Sequence, residues 1–155
     1  MVKVEGLDKL LAEHPFFKGM DEASRKTLAG CARNERFAAG EYIAHEGKPA
    51  ERFYFIRSGI VALEFHVPEN DGLILETLHD GEVFGWSWMV EPYLWTYDIR
   101  AVELTRVFSL DATCLRKKLK KDNALGFELY SRFVPVMAKR LSSARQQLTD
   151  MYGKS

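Results

Sequence analysis

Between residues 35 and 110 the apolar positions come in short bursts punctuated by glycines. The bursts EYIAHEG, RFYFIRSG, IVALEFHV, LILETLHDG, YDIRAVE and TRVFSL are rich in aromatic and β-branched residues and have strand length. Gly40, Gly47, Gly59, Gly72, Gly81 and Gly85 punctuate them. Turn signals this regular predict an all-β barrel or sandwich. The polar–apolar alternation is loose, so several strands are expected to be buried on both faces.

The flanks follow a different period. Residues 7–13 and 21–33 read as helices, with Leu7, Leu10 and Leu11 on one face. Pro15 separates the two, and Asp21 is placed to cap the second. After residue 110 the helical period returns. A short helix over 111–121 is opened by Asp111, and a longer one starts at Asp122 or Asn123. In the longer helix Phe127, Tyr130, Val134, Met137, Leu141, Ala144, Leu148 and Met151 recur at alternating spacings of three and four. That is a coiled-coil seam. A second stripe of Leu129, Phe133 and Val136 lies beside it. A helix apolar on two sides is expected to meet two partners, one of them a second copy of itself. Pro135 removes one backbone hydrogen bond and should bend the helix near Ser131.

Composition narrows the function classes. The 155 residues suit one domain, here 1–155, divided as 1–34, 35–110 and 111–152. Lys plus Arg and Asp plus Glu number 22 each, and a net charge of zero argues against a chain built mainly for nucleic acid or membrane surfaces. Arg116 to Lys121 form a basic run, read as a solvated helix face. No secretory leader and no membrane span are visible. Cys31 and Cys114 show neither metal spacing nor a disulfide framework, so a reducing, cytoplasmic setting is expected. His14, His45, His66 and His79 lack metal-ligand spacing and are expected to be structural or solvated. Glu35, Arg36, Glu51 and Arg52 read as ordinary surface charges. Gly85-Trp86-Ser87-Trp88-Met89 imitates a nucleophile elbow, but Met89 stands where the second glycine belongs, so no enzyme is expected.

Three motifs, GEYIAHEG at 40–47, FYFIRSG at 53–59 and GEVFG at 81–85, stand in this order between flanking helices. With them the chain resembles the cyclic-nucleotide-binding domain found in catabolite-activator regulators. The resemblance implies a mainly β fold with flanking helices: a double-stranded β-helix (a jelly-roll-like β-roll), N-terminal helices, a short internal helix near 85–90 and a long C-terminal helix. It also implies a small-molecule sensor with no resident cofactor and no metal. Gly47 and Gly59 suit tight turns, and Gly85 a close backbone approach to a ligand.

In the family a glutamate after this glycine takes the ribose hydroxyl, and an arginine about nine residues on pairs with the cyclic phosphate. Aligning Ile99-Arg100-Ala101 with the strand that closes the motif puts Trp86 at the first position and Trp95 at the second. Both charged contacts are absent, which at about 1.5–3 kcal/mol each weakens nucleotide binding by on the order of a hundredfold or more. The expected ligand contacts are Gly85, Trp86, Ser87, Trp88, Trp95, Thr96 and, from the terminal helix, Arg145. Arg100 alternates with Ile99 and Ala101 and is expected to face out of the roll. The ligand expected is a small molecule other than conventional cyclic AMP. The alternatives are a cyclic AMP or cyclic GMP receptor with rewired contacts, and a ligand-free dimerisation scaffold. A homodimer through the terminal helix is expected. Only Gly153-Lys154-Ser155 follow Tyr152, so no DNA-binding domain is expected in this chain.

Overall fold

Strand β3 (Arg52–Ser58) organises the first of two four-stranded sheets, ordered β1-β8-β3-β6, in the computed structural model, which describes residues 4–153. Its companions are β1 (Ala32–Phe37), β6 (Val83–Phe84) and β8 (Thr105–Asp111). The second sheet, ordered β2-β7-β4-β5, holds β2 (Tyr42–Ala44), β4 (Val61–Val67), β5 (Asn70–Leu78) and β7 (Asp98–Ala101). Every pairing within the sheets is antiparallel. The sheets share a core in which Tyr54, Ile56, Phe84 and Val107 of the first meet Val61, Leu63, Leu78 and Ile99 of the second. The bursts and glycines predict an all-β barrel or sandwich, and the family resemblance implies the β-roll that is found. Gly47 and Gly59 hold φ of 84° and 121° at the turns, as expected.

The loose alternation has its explanation in β3. Phe53, Tyr54, Phe55 and Ile56 are all buried. Tyr54 and Ile56 point into the roll. Phe53 and Phe55, alternate with them, point out. There they meet an aromatic layer from the N-terminal segment. That segment comprises helix α1 (Val4–Glu13), a 3-10 turn at Pro15–Phe17 and helix α2 (Glu22–Ala29). Phe16 lies 5.9 Å from Phe53, Phe17 5.0 Å from Phe55, and His14 5.6 Å from Phe55 by ring centroids. Burial of such rings contributes roughly 1.5–3 kcal/mol per side chain. Asp21 caps α2 by accepting from the Ser24 amide at 3.0 Å.

The second helix is shorter than expected. It was predicted over 21–33 but ends at Ala29, and Ala32, Arg33 and Asn34 belong to β1. Their backbones pair with Leu110, Ser109 and Phe108 of β8, and this ladder outweighs local helical preference.

The cysteines also depart from expectation. Cys31, just beyond α2, is disulfide-bonded to Cys114 in helix α3 (Ala112–Lys121), across 83 positions of sequence. No local spacing advertised the pair, because only the fold brings their Cα atoms to 5.7 Å. The expectation of free thiols, and the argument from them for a reducing setting, is therefore corrected.

Glu35 and Arg52 are corrected as well. Arg52 is half-buried, donates from Nε to Ser109 Oγ, and lies 3.7 Å from Glu35 and 3.5 Å from Asp111. These side chains tie β1, β3 and β8 together and are not free surface charges.

The chain divides into two compact units, one running to Lys118 and one from Leu119 onward. The second is mostly helix α4 (Asn123–Gly153), which continues through Pro135. Asp122 caps it, accepting from the Leu125 amide at 3.0 Å. Leu125, Leu129 and Phe133 are buried. Along the heptad seam Phe127 is 75% exposed, Val134 62% and Met151 75%. No helix among the described residues is long and apolar enough to cross a membrane. Residues 1–3, at the start of the stretch searched for a leader, and Lys154 and Ser155 lie outside the described residues.

His14 is structural, as expected. Its Nδ1 accepts from the Phe16 amide at 3.1 Å, which fixes the proton on Nε2, and Nε2 donates to the Ile56 carbonyl at 3.1 Å. Burial, opposed by hydrogen bonding of the ring to the backbone of Ile56 and Glu82, lowers its pKa from 6.5 to about 4. The unfolded chain therefore binds a proton in a range where the folded chain does not. Stability is complete above pH 6.5 and falls as the pH drops toward about 4, by on the order of 3 kcal/mol. In urea unfolding measured across this range, His14→Gln is expected to flatten that limb of the profile relative to the parent.

Candidate ligand-binding cassette

Strand β6 delivers the chain to Gly85 by pairing Phe84 with Tyr54 and Val83 with Phe55. Gly85 takes φ 101° and ψ 34°, a left-handed conformation that lets the chain turn off the sheet edge. A single 3-10 helix, Trp86–Met89, follows. The chain then passes a cis Glu91–Pro92 bond and Tyr93, whose φ is 59°. From Tyr93 onward it is pinned to the loop after β2. Ala50 N donates to Tyr93 O at 2.7 Å, Trp95 N to Lys48 O at 2.9 Å, and Gly47 N to Trp95 O at 2.8 Å.

The three tryptophans do not converge on one cavity. Trp88 is fully buried and packs on Phe53 at 5.6 Å. Trp95, 5% exposed, packs on Tyr54 at 6.2 Å within the roll interior. Phe53 and Tyr54 are adjacent on β3, so the two indoles lie on opposite faces of that sheet. Trp86 is half-buried, and its Nε1 donates to Tyr97 Oη at 2.8 Å. Among the described residues the buried Trp88 Nε1 has no hydrogen-bond partner.

Gly85 and Trp95 are brought together. A Cβ on Gly85 would stand 3.2 Å from the outer edge of the Trp95 ring and 3.0 Å from the Arg52 carbonyl oxygen. The close approach expected at Gly85 is thus made to protein atoms. Ser87 is buried, whereas Thr96 is exposed and does not face the interior. Arg145 is exposed on α4, in the unit that begins at Leu119. A cleft of about 390 Å³ in the first unit lies away from the cassette, lined by Leu10, Glu13, His14, Arg57, Asp80 and Arg106 among others.

Arg100 faces outward, as expected, and is engaged by Glu64: Nε donates to Oε2 at 2.9 Å, and Tyr42 Oη donates to Oε1 at 3.2 Å. Beside it Asp98 accepts from the Glu46 amide at 2.7 Å and pairs with His66, while His45 Nδ1 lies 3.8 Å away. These groups spend their charge on holding β7. Among the described residues no cluster of three or more His, Cys, Asp or Glu could hold a metal ion.

One residue that holds the cassette was missed. Arg116 was read as part of a solvated basic run, yet Nη1 donates to the Trp88 carbonyl at 2.8 Å and the guanidinium stacks 4.4 Å from the Tyr93 ring centre. It grips both ends of the segment 88–93. A basic run gives no local signal of this, because the partner lies across the fold.

The cyclic nucleotide-binding domain family matches residues 34–122. The chain belongs to this family. It is 24% identical over 145 residues to the CRP-like cAMP-activated global transcriptional regulator of Mycobacterium tuberculosis, covering 94% of this chain and 63% of the relative. This chain therefore spans less than two thirds of that relative's length. Among solved structures, a cyclic nucleotide-binding domain from Methylobacillus flagellatus superposes with a TM-score of 0.79 at 15% identity, covering 96% of this chain and 83% of the other. The sensor domain of the transcriptional regulator DNR from Pseudomonas aeruginosa superposes with a TM-score of 0.70 at 20% identity, covering 90% and 93%. At these identities the structural likeness establishes the fold.

Gly85 gives a direct check on the cassette. In Gly85→Ala the new methyl meets a backbone carbonyl and a ring in a conformation that side chains rarely adopt. A loss of about 1–3 kcal/mol of stability is expected, read by urea unfolding. Trp fluorescence should shift with it, since all three indoles stand in or beside the segment.

Proposed function

We propose that this cyclic nucleotide-binding domain is a regulatory sensor whose ligand is a small, largely apolar or aromatic molecule and not a conventional cyclic nucleotide. The observation that carries the reading is Trp95. It occupies the roll interior against Gly85 and Tyr54, at the position where the family resemblance calls for a phosphate-binding arginine. A guanidinium fork neutralises two phosphate oxygens; an indole offers a flat apolar face and one N–H donor. A cyclic phosphate brought there would be desolvated without a countercharge. Trp86 and Tyr97, joined at 2.8 Å, supply polar edges beside that face. Of the expected contacts this reading keeps Gly85, Trp86 and Trp95; Trp88 packs on the far face of the β3 sheet, and Thr96 is exposed. The mode of action is regulation by binding, and a cytoplasmic site of action goes with it.

The rival from another class is a ligand-free scaffold, favoured by the depth at which Trp95 is buried. Calorimetric titration tests the nucleotide question. The parent chain is expected to show no saturable heat with micromolar cyclic AMP or cyclic GMP. Trp86→Glu/Trp95→Arg is expected to gain affinity for cyclic AMP by at least about tenfold to a hundredfold, with a nucleotide-dependent rise in Tm. Micromolar binding by the parent overturns the reading. A thermal-shift screen of flat aromatic metabolites separates sensor from scaffold, since only the sensor is stabilised.

The same reading makes the chain a homodimer through α4. The seam that repeats at three and four leaves Phe127, Val134, Leu141, Leu148 and Met151 exposed, and a parallel copy would cover it by knobs-into-holes packing. Light scattering should give twice the 17.8 kDa of the chain. Val134→Asp/Leu141→Asp should return it to the single-chain mass.

A further inference from the structure

We infer that the Cys31–Cys114 disulfide is a redox-addressable modification site that sets how firmly the 86–93 segment is held. The inference concerns the mobility of that segment and stands whichever ligand the segment receives.

The geometry of α3 carries it. Cys114 and Arg116 are two residues apart, about 200° around the helix, so they face opposite ways. On one side α3 is fastened to the end of α2. The disulfide joins Cys114 to Cys31, Asp111 N donates to Cys31 O at 2.9 Å, and Lys118 Nζ donates to the Thr27 carbonyl. On the other side Arg116 reaches the Trp88 carbonyl and the Tyr93 ring. The first turn of α3 is thus wedged between the N-terminal helices and the cassette. Asp111 holds the turn from below, its Oδ2 accepting from Cys114 N at 2.8 Å. Opening the disulfide removes the covalent member of the α2 fastening. Hydrogen bonds, together with the burial of Ala112 and Leu115, are what remain to oppose a shift of α3. Arg116 moves with α3, and its grip on residues 88 and 93 loosens.

The two sulfurs differ in access. Cys31 is 5% exposed, whereas Cys114 is half-buried. A dithiol reductant therefore attacks at Cys114 Sγ. Its thiolate forms a mixed disulfide as the Cys31–Cys114 bond breaks, and Cys31 leaves as a thiolate that takes up a proton. The second reductant thiol then closes on the first. This releases Cys114 as a thiolate, which is protonated in turn. Two electrons pass from reductant to protein, and the reductant departs as its own disulfide. The reverse exchange with an oxidised dithiol restores the bond.

The test compares the full chain before and after treatment with dithiothreitol, by hydrogen exchange read with mass spectrometry. Alkylation of released thiols counts the opened bonds. Reduction is expected to speed exchange across 86–93 by at least about tenfold while β4 and β7 stay protected, and reoxidation is expected to reverse it. Arg116→Gln should exchange fast in this segment in both redox states, and Cys31→Ser/Cys114→Ser should match the reduced parent. Unchanged exchange at 86–93 overturns the inference. So does a bond that the dithiol fails to open in the folded chain, and so does equal loosening of β4 and β7, which would make the disulfide a general staple. Should the double serine variant fail to fold, the reversible treatment of the parent decides alone.

Discussion

Double-sided burial of β3 is the constraint on which the rest of the molecule hangs. A strand with only one apolar face can slide by two residues and still bury it. Here Phe53 and Phe55 are held by the N-terminal aromatic layer while Tyr54 and Ile56 are held by the opposite sheet. A slip in either direction would carry residues such as Arg57 or Arg52 into a packed interface. The register of β3 fixes that of β8 and β6, and β6 fixes where the chain turns off at Gly85. The position of the cassette is thus a consequence of packing several residues earlier. Burial also reaches the Tyr54 phenol, whose pKa is pushed up to about 12, so the phenol itself stays neutral.

That interior separates what the backbone sets from what the side chains set. The glycines and the ladder between 81–85 and β3 set the backbone path, and they are indifferent to which side chains follow. Trp95 enters the space between the sheets because its backbone is clamped to Lys48 and Gly47, not because an indole seeks it. Charges present nearby are already committed. Arg100 is held by Glu64, Arg52 by Ser109 and the flanking carboxylates, and Arg116 by the Trp88 carbonyl.

What could be read in the sequence follows the range of the interactions. The six strand bursts, the turn glycines Gly47 and Gly59, the caps at Asp21, Asp111 and Asp122 and the two stripes of α4 are all local patterns, and they stand close to where their residues predict. In contrast, β1 and β6 were not foreseen, and Gly72, read as a break, lies inside β5. The misreadings are non-local. The end of α2 was lost because pairing with β8 claims Ala32 to Asn34. Arg52 and Glu35 looked like solvated charges because their partner, Ser109, lies on another strand. Arg116 and the cysteines were misread for the same reason. The tryptophans are an intermediate case: their crowding into one segment was plain, but their division between two faces depends on where β3 lies.

Joining residues 31 and 114 has a topological consequence. All eight strands begin and end between those two cysteines, so the roll is enclosed in a covalent ring with helices as its tails. Cutting the backbone at any one hairpin opens the ring without parting it. The molecule would keep its mass after a single cleavage, and its two pieces would separate only once the sulfurs had let go.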